Sequence, residues 1–185
     1  MKIEFHTIDN APQAAQEDLQ MVEKAFGMVP NLMSGLAASP AALKSYMALA
    51  GNLKAHGSLN PVEQQVVYLS VSAKNGCDYC MAAHSAGANM AKMPAEVLSA
   101  LREQRDLPDT RLDALAKFTL AMLDQRGHMS DEDLADFTAA GFNQHDLLDV
   151  ITIMAQKTMS NYFNHIAKTP LDDAFKPMAW QAAAE

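Results

Sequence analysis

A chain of 185 residues with 49% apolar and 19% charged side chains is long enough to bury a core without disulfide support and has an ordinary globular make-up. Its formal charge of −8, with no stripe of Lys and Arg, excludes a phosphate-binding surface for nucleic acid. No segment approaches the length of about 20 apolar residues that spans a bilayer.

Helix signals dominate, and no strand alternation or hairpin turn stands out. A first helix is expected from about Pro12 to Phe26, with Leu19, Val22 and Phe26 in phase and Gly27 as the stop. Pro30-Asn31 reads as the opening of a short apolar turn. Ser39-Pro40 is an N-cap followed by proline at the first helical position, and predicts a helix to about His56, closed by Gly57. Asn60-Pro61-Val62-Glu63 is a stronger start, because Glu63 can reach back to the cap. The run Val66 to Ala73 that follows is apolar nearly all round. Its valines make a buried strand the competing reading, but the cap and the length favour a central helix.

Asn75-Gly76 breaks that helix just before Cys77. The next helix is expected from about Asp78 to Ala91, with a short one after Pro94. Further helices are expected from Pro108 to about Arg126, from Ser130 to Gly141, and from a cap at Asn143 to about Ala167. The expectation is one all-α domain over 1–185, with its core about 12–175 and short terminal extensions. A capped short helix leading into a long apolar one recurs near Ser130 to His165, the pattern of a helical pseudo-repeat. Aromatics supply only 6%, so aliphatic residues and thirteen Met must fill the interior.

Chemistry concentrates in Cys77-Asp78-Tyr79-Cys80-Met81-Ala82-Ala83-His84. The opening residues Met1 to His6 lack the apolar run of a secretory leader, so a cytoplasmic home is expected. There, a lone Cys pair reads as catalytic or metal-binding, not as a staple. Cys77 and Cys80 are three apart at a helix start, where the helix dipole favours thiolate. His84 lies one turn beyond Cys80 on the same face, able to take a thiol proton or to stabilise the thiolate as imidazolium. Inert packing is one alternative. A zinc site is another, with Asp78, His56, His128 or His165 as the fourth ligand.

Other candidates are weaker. Gln65, Tyr68 and Ser72 form a polar stripe on an apolar helix, either lining the site or bonding locally to backbone. Glu63 points about 200° away from Gln65, and a helix-cap role fits it better than catalysis. His165 either faces the site or is a satisfied structural histidine, while His6, His128 and His145 read as terminal or surface residues.

The segment Asn75 to Ser85 resembles the signature of the carboxymuconolactone decarboxylase and AhpD-like alkylhydroperoxidase superfamily. Gly27 to Leu32 and Asn164 to Leu171 resemble its uncharacterised peroxidase-related branch, so the similarity covers roughly Ala25 to Phe175. The resemblance implies an AhpD-like fold in trimers or hexamers, and reduction of small alkyl hydroperoxides at the thiols without a bound cofactor or metal. It implies Cys80 as the attacking thiolate, Cys77 as proton donor and resolving thiol, and His84 as part of a proton relay. A dithiol partner such as a lipoyl or thioredoxin-like protein would return the electrons. One position departs from the pattern: the family's relay glutamate, twelve residues before Cys77, is Gln65 here. Glutamine cannot shuttle a proton as a carboxylate does, so the departure implies weaker activity, a different substrate, or a replacement by Tyr68 or a solvent chain. Two further readings stand beside this one. They are a lactone decarboxylase-like enzyme with incidental cysteines, and a non-enzymatic redox sensor or metal-holding module.

Overall fold

The computed structural model describes residues 2–181, which are helical and loop throughout, without strand. In chain order the helices are α1 (Gln13–Phe26), α2 (Asn31–Leu36), α3 (Pro40–His56), α4 (Pro61–Lys74) and α5 (Asp78–Met90). Then follow α6 (Ala95–Arg102), α7 (Thr110–Gln125), α8 (Asp131–Ala139), α9 (Gln144–Ala167) and a 3-10 helix at Asp173–Met178. Where the caps are local, the elements begin as expected. Asn60 and Glu63 close a capping box on α4, Ser39 accepts from Ala42 N at the head of α3, and Asn143 with Asp146 caps α9.

α4 is the central element and packs against α5, α6, α7 and α9. Every residue from Val66 to Ala73 is buried, which is why this helix carries no solvent face. One apolar cluster lies between α4, α6, α7 and α8, with the rings of Phe118, Phe137 and Phe142 stacked in a row. A second gathers α1, α2 and α3 around Leu19, Leu43, Cys77 and Cys80. The α4–α5 pair stands at the seam of the two. Gly76, at φ +64°, lets the chain turn between them, a left-handed geometry that side chains with a Cβ adopt at a cost.

Two segments differ from expectation for one reason. The apolar turn at Pro30-Asn31 is the start of a short helix, and the 3-10 helix near the C-terminus has no local signal. Asp172 accepts from Asn31 N at 3.1 Å, capping α2 from far along the chain, and takes the Tyr79 hydroxyl at 2.5 Å. Phe175 then packs edge-on against Tyr79 at 6.1 Å. The C-terminal strap thus fixes both α2 and the residue beside Cys80. No helix among the described residues is long and apolar enough to cross a membrane.

Candidate active site

Cys77 is the N-cap of α5, in extended backbone (φ −93°, ψ 93°), and Cys80 sits one turn inside the helix. Both are free thiols with 1% of their surface exposed. Helix α9 crosses beneath them. Asn164 Nδ2 donates to both sulfurs, 3.3 Å to Cys80 and 3.7 Å to Cys77, and the Ser160 hydroxyl lies 3.7 Å from Cys80. Contact with the Cys77 thiol above all, with Lys157 and Ser160 adding to it, holds the Cys80 thiol well below the usual range despite burial. The same contact, with burial, pushes Cys77 up. The pair is therefore polarised: one thiolate, one thiol.

His84 has both ring nitrogens engaged. Nδ1 lies 3.0 Å from Gln65 Oε1, an acceptor, so that nitrogen carries the proton. Nε2 is then a lone pair, and Lys157 Nζ donates to it at 2.6 Å. Enclosure of the ring and the neighbouring ammonium hold the His84 pKa well below the ordinary imidazole value. His84 is thus a neutral imidazole that meets Lys157, not an imidazolium beside Cys80. Tyr68 stacks its ring on His84 at a centroid distance of 4.2 Å and gives its hydroxyl to Gln156 Oε1 at 2.7 Å. Burial raises the phenols of Tyr46 and Tyr68, so neither acts as a base near neutrality. Close packing keeps the arrangement in register: a Cβ on Gly87 would lie 3.1 Å from the Gln65 amide.

A cavity of about 280 Å³ opens onto these groups. Cys80, His84, Gln65 and Lys157 line it together with mainly apolar residues, Phe26, Leu32, Met33 and Phe175 among them. Water-poor walls over a thiolate favour an apolar substrate with one polar reacting end.

The structure brings together Cys77, Cys80, His84, Gln65 and Tyr68. It does not bring Glu63 there: that carboxylate caps α4 and pairs with Arg111 Nε at 3.0 Å, while the Arg111 guanidinium covers the Phe142 ring. Ser72 is fully buried with its hydroxyl unpartnered. His165 is exposed, as are His56, His128 and Asp78. Among the described residues no group of three His, Cys, Asp or Glu could hold a metal ion.

Sequence reasoning missed Lys157, Ser160 and Asn164. A signal for them exists, because Gln156, Lys157, Ser160, Asn161 and Asn164 occupy the phase that α9 buries through Val150 and Ile153. Five polar side chains in the buried phase need partners.

The polarised pair has a pH signature. Cys80 is ionised above its lowered pKa and loses reactivity only as pH falls through that value, whereas Cys77 stays protonated. Iodoacetamide should alkylate one thiol at pH 7 at a rate within about threefold of its alkaline plateau, where an ordinary thiol retains only about 3%. A profile that still climbs through pH 8 to 9 would contradict the assignment.

Residues 40–121 match the model of the carboxymuconolactone decarboxylase family. No curated protein matches the chain in sequence. Among solved structures, an alkylhydroperoxidase AhpD core, described as an uncharacterised peroxidase-related protein from Ralstonia eutropha JMP134, superposes with a TM-score of 0.81 at 23% identity over 95% of each chain. An uncharacterised peroxidase-related protein from Silicibacter sp. TM1040 gives 0.79 at 20% identity, again over 95% of each. The debrominase Bmp8, as a cysteine-to-alanine variant in complex with 2,3,4-tribromopyrrole, gives 0.79 at 16% identity over 96% of this chain and 95% of its own.

Proposed function

We propose, from the match of residues 40–121 to the carboxymuconolactone decarboxylase family model and from the AhpD-like fold, that the chain is a thiol-dependent reductase of organic hydroperoxides. The observation that carries this reading is the polarised Cys77–Cys80 pair, of which Cys80 lines an apolar cavity. A thiolate there attacks the distal oxygen of a hydroperoxide, breaking the O–O bond and becoming a sulfenic acid while an alkoxide leaves and takes up a proton to become the alcohol. Cys77, held protonated beside it, then displaces the sulfenic oxygen as water and forms the disulfide. A dithiol such as a lipoyl or thioredoxin-like protein restores both thiols by exchange.

The test is steady-state consumption of cumene hydroperoxide with dihydrolipoamide as donor. Turnover many times faster than the donor alone is expected, with kcat/KM for the aryl-alkyl hydroperoxide exceeding that for hydrogen peroxide by on the order of tenfold, since only the former fills the apolar walls. Consumption no faster than by dihydrolipoamide alone would overturn the reading.

One observation favours a second reading. Flat rings, Tyr46, Tyr79 and Phe175, line the same cavity, a fit for an aromatic electrophile of the kind bound by the debrominase relative. Bromide release from 2,3,4-tribromopyrrole in the presence of thiol, with hydroperoxides inert, would select it. A lactone enzyme with incidental cysteines would leave Asn164 donating to two sulfurs without purpose, and turnover surviving alkylation of both thiols would be its mark.

A further inference from the structure

The residues lining the cavity include Gln65 but no Asp or Glu, so the site lacks a carboxylate that would carry a proton. What it holds in addition is a buried cation. Lys157 is 0% exposed. The ion pairs among the described residues do not include it. Its ammonium contacts a neutral imidazole, lies 5.3 Å from the Tyr68 ring centre, and lines the same cavity as Cys80, whose pKa its charge lowers. A buried charge needs an opposite one. The other titratable groups facing this spot are Cys77 and His84 on α5, Tyr46 on α3, Tyr68 on α4, and Tyr79 backed by Asp172 of the C-terminal strap. Asp172 is already occupied by the Tyr79 hydroxyl and the Asn31 amide. Among these groups, that leaves Cys80 as the counter-anion.

We propose that Lys157 is the counter-cation of the Cys80 thiolate and the proton donor to the departing alkoxide, a catalytic role that Gln65 makes necessary and His84 positions. The proposal rests on the peroxide-reductase reading. In the resting site Cys77 is a thiol, Cys80 a thiolate and Lys157 an ammonium. Attack on ROOH forms the S–O bond and breaks O–O. The alkoxide that leaves is far more basic than an amine, so it takes a proton from Lys157 and departs as ROH. Cys77 then displaces the sulfenic oxygen, its own proton leaving in the water formed. The reductant dithiol supplies two electrons and two protons, one to Cys77 and one to Lys157, which regenerates the thiolate–ammonium pair. Gln65 fits this cycle because its carbonyl fixes the proton on Nδ1 and so aims the Nε2 lone pair at Lys157. A carboxylate at position 65 would compete with Cys80 for the same ammonium.

The two halves are tested separately in the full chain with Lys157→Met, a swap close in volume, with Lys157→Arg as the charge-keeping control. For the counter-cation, the iodoacetamide rate at pH 6.5 should fall on the order of tenfold to a hundredfold in Lys157→Met as the profile moves to higher pH, and Lys157→Arg should restore it to within about threefold. A Lys157→Met profile superimposable on wild type overturns this half. For the proton donor, single-turnover oxidation of Cys80 is compared between tert-butyl hydroperoxide, whose alkoxide needs a proton, and peracetic acid, whose acetate does not. The ratio of the two rates cancels any change in thiolate content or packing. It should fall by about tenfold or more in both variants, because Arg cannot give up its proton. An unchanged ratio overturns the donor half. Wild-type protein that alkylates normally but reacts with neither peroxide overturns the peroxide reading and the donor half together, while the alkylation profiles still decide the counter-cation.

Discussion

Cys80→Ser should abolish dithiol-dependent hydroperoxide reduction, lowering kcat/KM by on the order of 10³-fold or more, while Cys77 remains present and reduced. The size follows from what the site does to sulfur. Cys77, Lys157, Ser160 and Asn164 all stabilise a thiolate at position 80. A serine hydroxyl there stays protonated under the same influence, and an alcohol does not open an O–O bond. Cys77 cannot substitute, because the contact that lowers Cys80 raises Cys77. The replacement also leaves the Lys157 ammonium without its counter-anion, so stability should fall by about 3 kcal/mol, as when one partner of a buried pair is removed. Steady-state peroxide assays and thermal unfolding on the same preparation check both. Turnover retained by Cys80→Ser would remove the nucleophile from this account.

Cys77→Ser should separate the first oxidation from the cycle. The first equivalent of hydroperoxide still reacts, since Lys157, Ser160 and Asn164 remain to hold Cys80 as thiolate. A serine hydroxyl donates a hydrogen bond more weakly suited to sulfur, so the single-turnover rate should fall by about threefold to tenfold, not collapse. Steady-state turnover with a dithiol protein should fall by on the order of a hundredfold or more, because no neighbouring thiol condenses with the sulfenic acid. The accumulating species should react with dimedone. Excess peroxide should then drive it to sulfinic acid, an irreversible loss that wild type resists. Unimpaired cycling in Cys77→Ser would mean that resolution comes from the reductant directly.

The fold was legible in the sequence wherever the information is local. Asn60 with Glu63, Ser39 with Pro40, and Asn143 each satisfy their own helix start with side chains a few residues away. Their helices accordingly begin within a residue or two of the expected places. The start of α2 was not legible, because Asp172 caps it from across the chain. The site divides the same way. Cys77, Cys80 and His84 share one helix, and Gln65 faces them from the neighbouring one at a spacing that helical geometry makes readable. Their partners on α9 come from 73 to 87 residues away. Reading α9 by residue type drew attention to His165, which is exposed. Its neighbour Asn164, about 100° round the helix, holds both sulfurs. Phase, not residue type, was the usable signal, and a lysine in the buried phase of an apolar helix was its clearest form.

The most direct test of the thiolate–thiol cycle is mass analysis of the intact, fully reduced protein after one equivalent of cumene hydroperoxide, with alkylation mapping of the two cysteines. One intramolecular disulfide per chain, Cys77 to Cys80, is expected, formed in step with release of one cumyl alcohol and reversed by dihydrolipoamide. Peroxide consumed while both thiols remain free to alkylate, or protein left unchanged by the peroxide, would contradict it.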